Sequence, residues 1–367
     1  MNIAIFTPSQ NPYSETFIQA HKNYLKGKVF YYYGEGQGIQ LEGKGALCSL
    51  AKHRWLTLQA KAFKWTKNKV RDSKVLTSLK ENKIDVILVE YGTHAHNIRS
   101  ILKASGLPII VHFHGYDASV YDAVSRCNQY KEVFVVATKI IAVSTKMQQM
   151  LLAIGCPKHK LVYNVYGPQK EFESIQPKFT KQQLVAIGRF TDKKAPYYTI
   201  MAFKSIANKF PNAKLLIAGS GVLLNTCKNL VKQFELEQQV LFLGIIKPEE
   251  YRKLLAESLA FVQHSIRAAN GDMEGTPLAV LEASVAGVPV IATNHAGIPD
   301  VVLHNKTGLL CEEHDVEKMA LHMQQLLANT DLAKQLGTAG KQHILSYYTV
   351  ERHITVLNEL MEQLSNS

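Results

Sequence analysis

At 367 residues, with 46% apolar and 20% charged side chains, the chain exceeds one typical domain and is too apolar for disorder, so two domains with real cores are expected. Lys and Arg total 42 against 30 Asp and Glu, a formal charge of +12. The five cysteines (Cys48, Cys127, Cys156, Cys227, Cys311) are odd in number, scattered and never in a C-x-x-C pair, which argues against a disulfide framework or zinc ribbon and for a reducing cytosol.

The chain begins with a buried-strand pattern at residues 2–6 and no basic leader before it, so a cytoplasmic protein is expected. No uninterrupted apolar run reaches the ~18 residues needed to span a bilayer, so any membrane contact would be peripheral. Further short apolar runs at 29–33, 85–90, 109–113, 139–143 and 161–163 read as strands separated by stretches of helical composition. That alternation predicts a parallel, doubly wound α/β unit. Residues 167–182 are polar, hold Pro168 and Pro177, and read as a connector. A second strand series follows at 184–188, 215–219, 240–243, 259–263, 289–292 and 308–311, and a final helical stretch covers 350–364.

Within the first series, residues 52–83 read as one strongly basic helical stretch. It holds ten Lys and Arg from Lys52 to Lys83 against Asp72 and Glu81, together with Trp55, Leu56, Leu58, Phe63 and Trp65. Such a helix either lies on an anionic membrane surface or is a solvated helix whose aromatics enter the core. No DNA or RNA module accompanies the charge, so nucleic acid is not expected as a partner.

The sharpest feature is Glu274-Gly275-Thr276-Pro277-Leu-Ala-Val-Leu-Glu282. Thr276 suits an N-cap, Pro277 a first helical residue and Gly287 a C-terminal stop, so a helix is expected from 277 to 286. Glu282 then lies more than one turn inside, too deep for the helix dipole to account for it, and it is the only charge in the apolar run 278–286. Either it pairs with an Arg or Lys from a neighbouring element or it accepts hydrogen bonds from the paired hydroxyls of a sugar. Glu274, Gly275 and Thr276 sit at the helix start, where free N–H groups suit a diphosphate.

Around this motif stand Gly188-Arg189 followed by Lys193-Lys194, then Ala218-Gly219-Ser220-Gly221, then Gly287-Val288-Pro289, His295-Ala296-Gly297 and Gly308-Leu309-Leu310. In order and spacing these resemble the second domain of the family-4 glycosyltransferases, which transfer a sugar from a nucleotide-sugar donor. The segment from His264 to Glu274 resembles the members that build bacterial exopolysaccharide, capsule or lipopolysaccharide. The resemblance implies the GT-B fold: two Rossmann-like doubly wound parallel-sheet domains facing a cleft, an acceptor-side domain at 1–170, a nucleotide-sugar domain at 180–345, and a C-terminal helix within 346–367 packing back on the first. It also implies the roles of individual residues. Arg189 and Lys194 grip the donor diphosphate, Glu282 holds the ribose, and Glu274 acts at the transferring sugar.

His114-Gly115-Tyr116-Asp117, at a strand end, is similar to the family's histidine-glycine-x-aspartate motif, which makes His114 a sugar-positioning residue and Asp117 a donor-site candidate. Gly219, Gly221, Asn164 and His264 are further donor-site candidates. The glycine-rich loop that the family often carries after its first strand is here 7–17 with no glycine. Ser14 and Glu15 in it either face the acceptor or serve only as a helix cap. The chain contains no Asp-x-Asp, so a retaining, metal-independent transfer with no cofactor is expected, its leaving diphosphate stabilised by fixed cations. The partners that the resemblance implies are a nucleotide-sugar and a saccharide acceptor carried on a lipid.

Rival readings are narrower. Gly219-Ser220-Gly221 superficially suggests a dinucleotide loop, but Leu224 stands where the third glycine belongs. His94-x-His96 and His112-x-His114 would supply a metal-dependent hydrolase, without an accompanying carboxylate motif. A non-catalytic nucleotide-sugar-binding protein is the third alternative.

Overall fold

The structure is a computed structural model that describes residues 1–10, 16–36, 38–44 and 47–365. The chain divides into two compact units: Met1–Val143, Met147–Asn164 and His353–Ser367 form the first, Ser144–Lys146 and Val165–Arg352 the second.

The first unit holds strands β1 (Asn2–Thr7), β2 (Lys28–Tyr33), β3 (Gln40–Leu41), β4 (Val86–Glu90), β5 (Ile109–His112), β6 (Lys139–Ala142) and β7 (Leu161–Tyr163). They form one sheet in the order β3-β2-β1-β4-β5-β6-β7, parallel except for the short β3, which pairs antiparallel with β2. The strands are apolar on both faces, as a sheet covered by helices requires: Ile3, Ile5, Ile87, Leu88, Ile110 and Ile140 are all inaccessible to solvent. β3 has no counterpart among the expected strands, because two residues are too few to show an alternation.

The second unit holds β8 (Gln183–Ile187), β9 (Lys214–Ala218), β10 (Val240–Gly244), β11 (Ala260–Gln263), β12 (Val290–Thr293) and β13 (Gly308–Cys311). All are parallel, in the order β10-β9-β8-β11-β12-β13. In each sheet the winding reverses once, between β1 and β4 in the first and between β8 and β11 in the second. Loops leaving the carboxyl ends of those neighbours diverge and leave a crevice there, the usual ligand position in such folds.

The basic region is two helices and not one. Leu50–Ala62 ends at Phe63, Lys64 takes a left-handed φ of 49°, and Thr66 caps a new helix, Lys67–Glu81, through its hydroxyl. Leu56, Val75 and Leu79 face inward, whereas Trp55, Leu58 and Phe63 are exposed. Residues 165–182 are packed and not a free tether: Phe172 and Ile175 are buried, and Lys341 Nζ donates to the carbonyls of Glu173 and Ile175 at 2.6 and 3.2 Å.

From His353 onward the last helix, Val350–Ser365, belongs to the first unit. It buries His353, Ile354, Leu357 and Met361 there, and the Asn358 side chain accepts from the Lys26 N–H at 2.9 Å. Leu357 is fully buried, so Leu357→Ala should cost the first unit about 2–5 kcal/mol through lost transfer energy and the cavity left behind. Both tryptophans, Trp55 and Trp65, lie in this unit, so tryptophan fluorescence during urea unfolding reads its transition separately; an unchanged midpoint would show that the helix contributes no packing energy.

Candidate active site

At the winding reversal of the second unit, the loops after β8 and β11 meet. The Ile266 N–H donates to the Lys193 carbonyl at 2.9 Å. Lys194 turns into the same place: its Nζ lies 3.2 Å from Glu274 Oε1 and donates to Gln263 Oε1 at 3.3 Å. Burial lowers the pKa of Lys194, partly countered by Glu274. For Glu274 burial pushes the other way, and Lys194, Lys193 and His295 together hold the carboxyl below the usual range. The ion pair is therefore formed, with Lys194 cationic and Glu274 anionic.

Lys193 and His295 stood in the sequence motifs without a role of their own, and Asp272 and Glu313 were not singled out as their partners. Lys193 is buried and bonds Asp272 Oδ1 at 3.0 Å and the Met273 carbonyl at 3.3 Å, tying down the segment that leads into Glu274. The Glu274 N–H donates to His295 Nε2 at 3.1 Å, and His295 Nδ1 in turn meets Glu313 Oε1 at 2.6 Å. Arg189, by contrast, is exposed and makes no ion pair among the described residues.

The helix of the two-glutamate motif spans Leu278–Val285, one residue shorter at its start than expected. Pro277 takes ψ of 120° and occupies the N-cap position itself, so Thr276 lies outside the helix and does not cap it. Thr276 is buried, and an added Cβ on Gly297 would fall 2.3 Å from its Oγ1 and 2.2 Å from the Gly275 carbonyl, so that turn is packed against its neighbour. The other end follows expectation: Gly287 has φ of 82°, with Gly287 N–H to Ser284 O and Val288 N–H to Ala283 O closing a Schellman stop.

Glu282 is the fifth residue of that helix. Its carboxylate makes no ion pair or side-chain hydrogen bond among the described residues, so no neighbouring guanidinium or ammonium neutralises it. Burial alone raises its pKa to about 7. A half-buried carboxylate of this kind is an acceptor with no donor among the described residues.

Gly219 and Gly221 shape the backbone. A Cβ on Gly219 would sit 1.9 Å from the Gly188 carbonyl, and one on Gly221 would sit 2.6 Å from the Phe190 carbonyl, so only glycine lets the loops after β8 and β9 lie against each other. His264 is buried, accepts the His314 N–H at Nε2 (3.0 Å) and lies 4.8 Å, ring to ring, from Tyr198; burial drives its pKa down to about 4, which keeps it neutral.

In the first unit, Asp117 is fully buried and grips backbone: Oδ1 accepts the His114 and Gly115 N–H groups at 2.9 and 3.2 Å, and Oδ2 accepts that of Gly92 at 2.7 Å. It holds the ends of β4 and β5 together. His114 Nε2 bonds Glu90 Oε2 at 2.8 Å, and Glu90 also meets His21 Nδ1 at 2.6 Å. Glu90 and His21 were not singled out from the sequence, although Glu90 ends an apolar strand just as Glu282 interrupts an apolar helix. Asn164 Nδ2 donates to the His353 carbonyl at 3.1 Å, an anchor for the last helix and not an observed part of the second unit's site. Ser14 and Glu15 lie outside the described residues.

The four-histidine metal set does not assemble. Among the described residues, the clusters that bring metal-ligating atoms together are His21, His112 and His353, and Glu90, His112 and His114; His94 and His96 join neither. His94 is instead buried on the helix Gly92–Asn97, where burial lowers its pKa to about 4.

Comparison with known proteins agrees with this layout. Residues 168–343 match the family described as glycosyl transferases group 1. The chain is 27% identical over 288 residues to the amylovoran biosynthesis glycosyltransferase AmsK of Erwinia amylovora, covering 77% of this chain and 70% of that protein. It is 29% identical over 224 residues to the putative colanic acid biosynthesis glycosyltransferase WcaL of Escherichia coli K12, covering 60% of this chain and about half, 54%, of WcaL. Among solved structures, Anabaena Alr3699/HepE in complex with UDP-glucose superposes over 100% of both chains with a TM-score of 0.77 at 15% identity, which shows the fold. The matched family and these relatives support a GT-B, family-4-like glycosyltransferase, the fold resting on the superposition and the family likeness on residues 168–343.

The raised pKa of Glu282 has a signed consequence for stability. An ordinary glutamate titrates at 4.5 and the folded state at about 7, so folding is penalised little below pH 4.5, increasingly between the two values, and fully above 7. Glu282→Gln should therefore raise the melting temperature of the ligand-free protein at about pH 8 and leave it nearly unchanged at about pH 4.5. An equal shift at both pH values, by differential scanning fluorimetry, would show that the carboxylate is not desolvated.

Proposed function

We propose that this chain transfers a sugar from a nucleotide-sugar donor to a saccharide acceptor in bacterial surface-polysaccharide biosynthesis, retaining the anomeric configuration and using no metal at the diphosphate. The observation that carries the reading is the half-buried Lys194–Glu274 pair at the β8/β11 reversal, in the same unit as the exposed Arg189 and Glu282, which has no side-chain partner among the described residues.

Transfer breaks the bond between the anomeric carbon and the diphosphate oxygen, so negative charge grows on the leaving group while positive charge grows on the sugar. Arg189 and Lys194 are the cations for the diphosphate, Arg as a fork and Lys as a point charge. Gly275, Thr276 and the start of the helix Leu278–Val285 offer further backbone donors. Glu274, held in place by Lys194 and His295, accepts hydroxyl hydrogen bonds from the transferring sugar and favours its cationic transition state. Glu282 receives the ribose hydroxyls, which supply the donors that the described residues do not. His114 positions the sugar; nothing in its surroundings makes it a nucleophile, so a front-face departure and attack within one ion pair fits retention.

The acceptor is read as lipid-linked and the enzyme as cytoplasmic, seated peripherally on the inner face of the cell membrane. Support comes from the helices Leu50–Ala62 and Lys67–Glu81, where exposed Leu50, Trp55, Leu58 and Phe63 accompany the basic side chains. Basic residues near anionic head groups contribute about 1 kcal/mol each, and exposed aromatics add interfacial burial. Among the described residues no helix is long and apolar enough to cross a membrane.

Two measurements test these readings. Arg189→Ala and Lys194→Ala should each weaken nucleoside diphosphate binding at least about tenfold by calorimetry, the worth of a charge-assisted phosphate bond, whereas Glu274→Ala should mainly lower the transfer rate. Equal nucleotide affinity in wild type and both cation variants would place the diphosphate elsewhere. Co-sedimentation with phosphatidylglycerol vesicles should fall when Trp55 and Phe63 become Ser and rise at low salt; no binding at about 0.05 M salt would remove the membrane reading.

A further inference from the structure

Glu90, the last residue of β4, is fully buried and is the centre of an imidazole cluster. His21 Nδ1 lies 2.6 Å from Oε1, His114 Nε2 lies 2.8 Å from Oε2, and His112 Nδ1 lies 3.5 Å from the same Oε2. His21 continues outward: its Nε2 meets His353 Nε2 at 2.8 Å, and the two rings stack with centroids 5.0 Å apart. The cluster thus runs from the helix Thr16–Tyr24, through β4, to the helix Val350–Ser365 near the end of the chain.

We propose that Glu90 is a positioning residue for His114, fixing its imidazole as the Nε2–H tautomer and its ring plane, with His21 and His353 as the brace that holds Glu90 in place. This rests on the reading of His114 as a sugar-positioning group.

The proton count supports it. A carboxylate only accepts, so each imidazole nitrogen at hydrogen-bond distance from Glu90 must carry a hydrogen. His114 therefore donates through Nε2, and as a neutral ring it keeps Nδ1 as its acceptor nitrogen, the form suited to a sugar hydroxyl. His21 donates through Nδ1, which leaves its Nε2 to accept the His353 Nε2–H. The cluster also overcomes the burial of Glu90, whose carboxyl is held well below the usual range by His21, His112 and His114. Ring contacts complete the clamp on His114: Phe17 and Tyr91 each lie 4.5 Å from it and His112 lies 4.4 Å away, centroid to centroid.

The same nitrogens lie close enough to suggest a metal, within 4.8 Å of one another. Tetrahedral zinc with bonds of about 2.0–2.1 Å would hold its nitrogens about 3.3 Å apart. The 2.8 Å between the Nε2 atoms of His21 and His353 is the spacing of a shared hydrogen.

The test has one readout independent of activity. In the full-length protein labelled with 15N-histidine, His114, assigned by comparison with His114→Gln, should appear as the neutral Nε2–H tautomer. In Glu90→Gln, the side-chain amide puts a donor where the carboxylate accepted, so one imidazole must change tautomer or turn away. kcat should then fall about ten- to a hundredfold, while nucleoside diphosphate affinity and donor KM change less than about threefold. Glu90→Asp, which keeps the acceptor, should recover part of kcat. His353→Gln, a milder change at the far end of the brace, should lower kcat in the same sense and covers the case in which Glu90→Gln does not fold. An Nδ1–H or doubly protonated His114 in wild type, an unchanged kcat in folded Glu90→Gln, or stoichiometric zinc on the purified protein would overturn the proposal. Failure of wild type to bind any nucleoside diphosphate would overturn the functional reading instead, and the tautomer measurement would still decide the role of Glu90.

Discussion

A carboxylate removed from water must be answered by donors, and three glutamates of this chain meet that constraint in three different ways. Glu90 is answered by imidazole N–H groups, Glu274 by an ammonium, and Glu282 by nothing that the described protein supplies. A fully buried carboxylate with no donor costs several kcal/mol, a large fraction of the stability of a typical domain; Glu282, half-buried, bears part of that cost. The direction of each pKa follows the same order: Glu90 and Glu274 are pulled down by their partners, and Glu282 is pushed up by burial alone. The first two sites are complete as they stand. The third has no donor among the described residues, and in the proposed function the ribose hydroxyls supply it.

The sheets decide where these groups can be. Glu90 ends β4 and lies beside the reversal between β1 and β4; Lys194 and Glu274 follow β8 and β11, the strands on either side of the other reversal. Parallel strands carry their loops to the same edge, so residues distant in sequence converge without any long excursion of the chain. Glycine contacts then set how closely the loops approach. The near contacts that a Cβ on Gly219 or Gly221 would make are with main-chain carbonyls, which have no rotamer to yield, so the loop spacing is fixed by backbone.

Much of this was legible in the sequence, for identifiable reasons. Fully buried parallel strands are continuous apolar runs, and twelve of the thirteen strands among the described residues could be placed within a residue or two; β3 is too short to carry a pattern. The helix stop at Gly287 was legible because a left-handed residue there has few alternatives to glycine. The helix start was misplaced by one residue because Pro277 fixes φ but leaves ψ free, and here ψ is extended. The basic region was read as a single helix because charge and apolar spacing continue across Phe63 to Thr66, while the break depends on one left-handed residue, Lys64, that sequence does not mark. The Glu90 cluster stayed hidden because its partners lie 69 and 24 residues away along the chain, and His353 lies 332 residues from His21. The available signal was Glu90 itself, an acid closing a strand of Val, Ile, Leu and Val.

The Lys194–Glu274 pair also bears on how a transfer site of the proposed kind works. A lone buried ammonium would be costly and would tend to lose its proton, and burial does lower the pKa of Lys194. Glu274 keeps it charged while Gln263 fixes its direction. In the proposed reaction an arriving diphosphate would meet a cation already formed and aimed, with little reorganisation left for the moment of bond cleavage, which is the condition under which electrostatic stabilisation of a leaving group is most effective. Glu274 benefits reciprocally: held ionised beside Lys194, it would present an acceptor to the hydroxyls of the proposed donor sugar without an additional proton transfer. A neutral pair of the same shape would lie in the same place and lack both properties, so the charges, and not the contact alone, make this arrangement suited to the reaction.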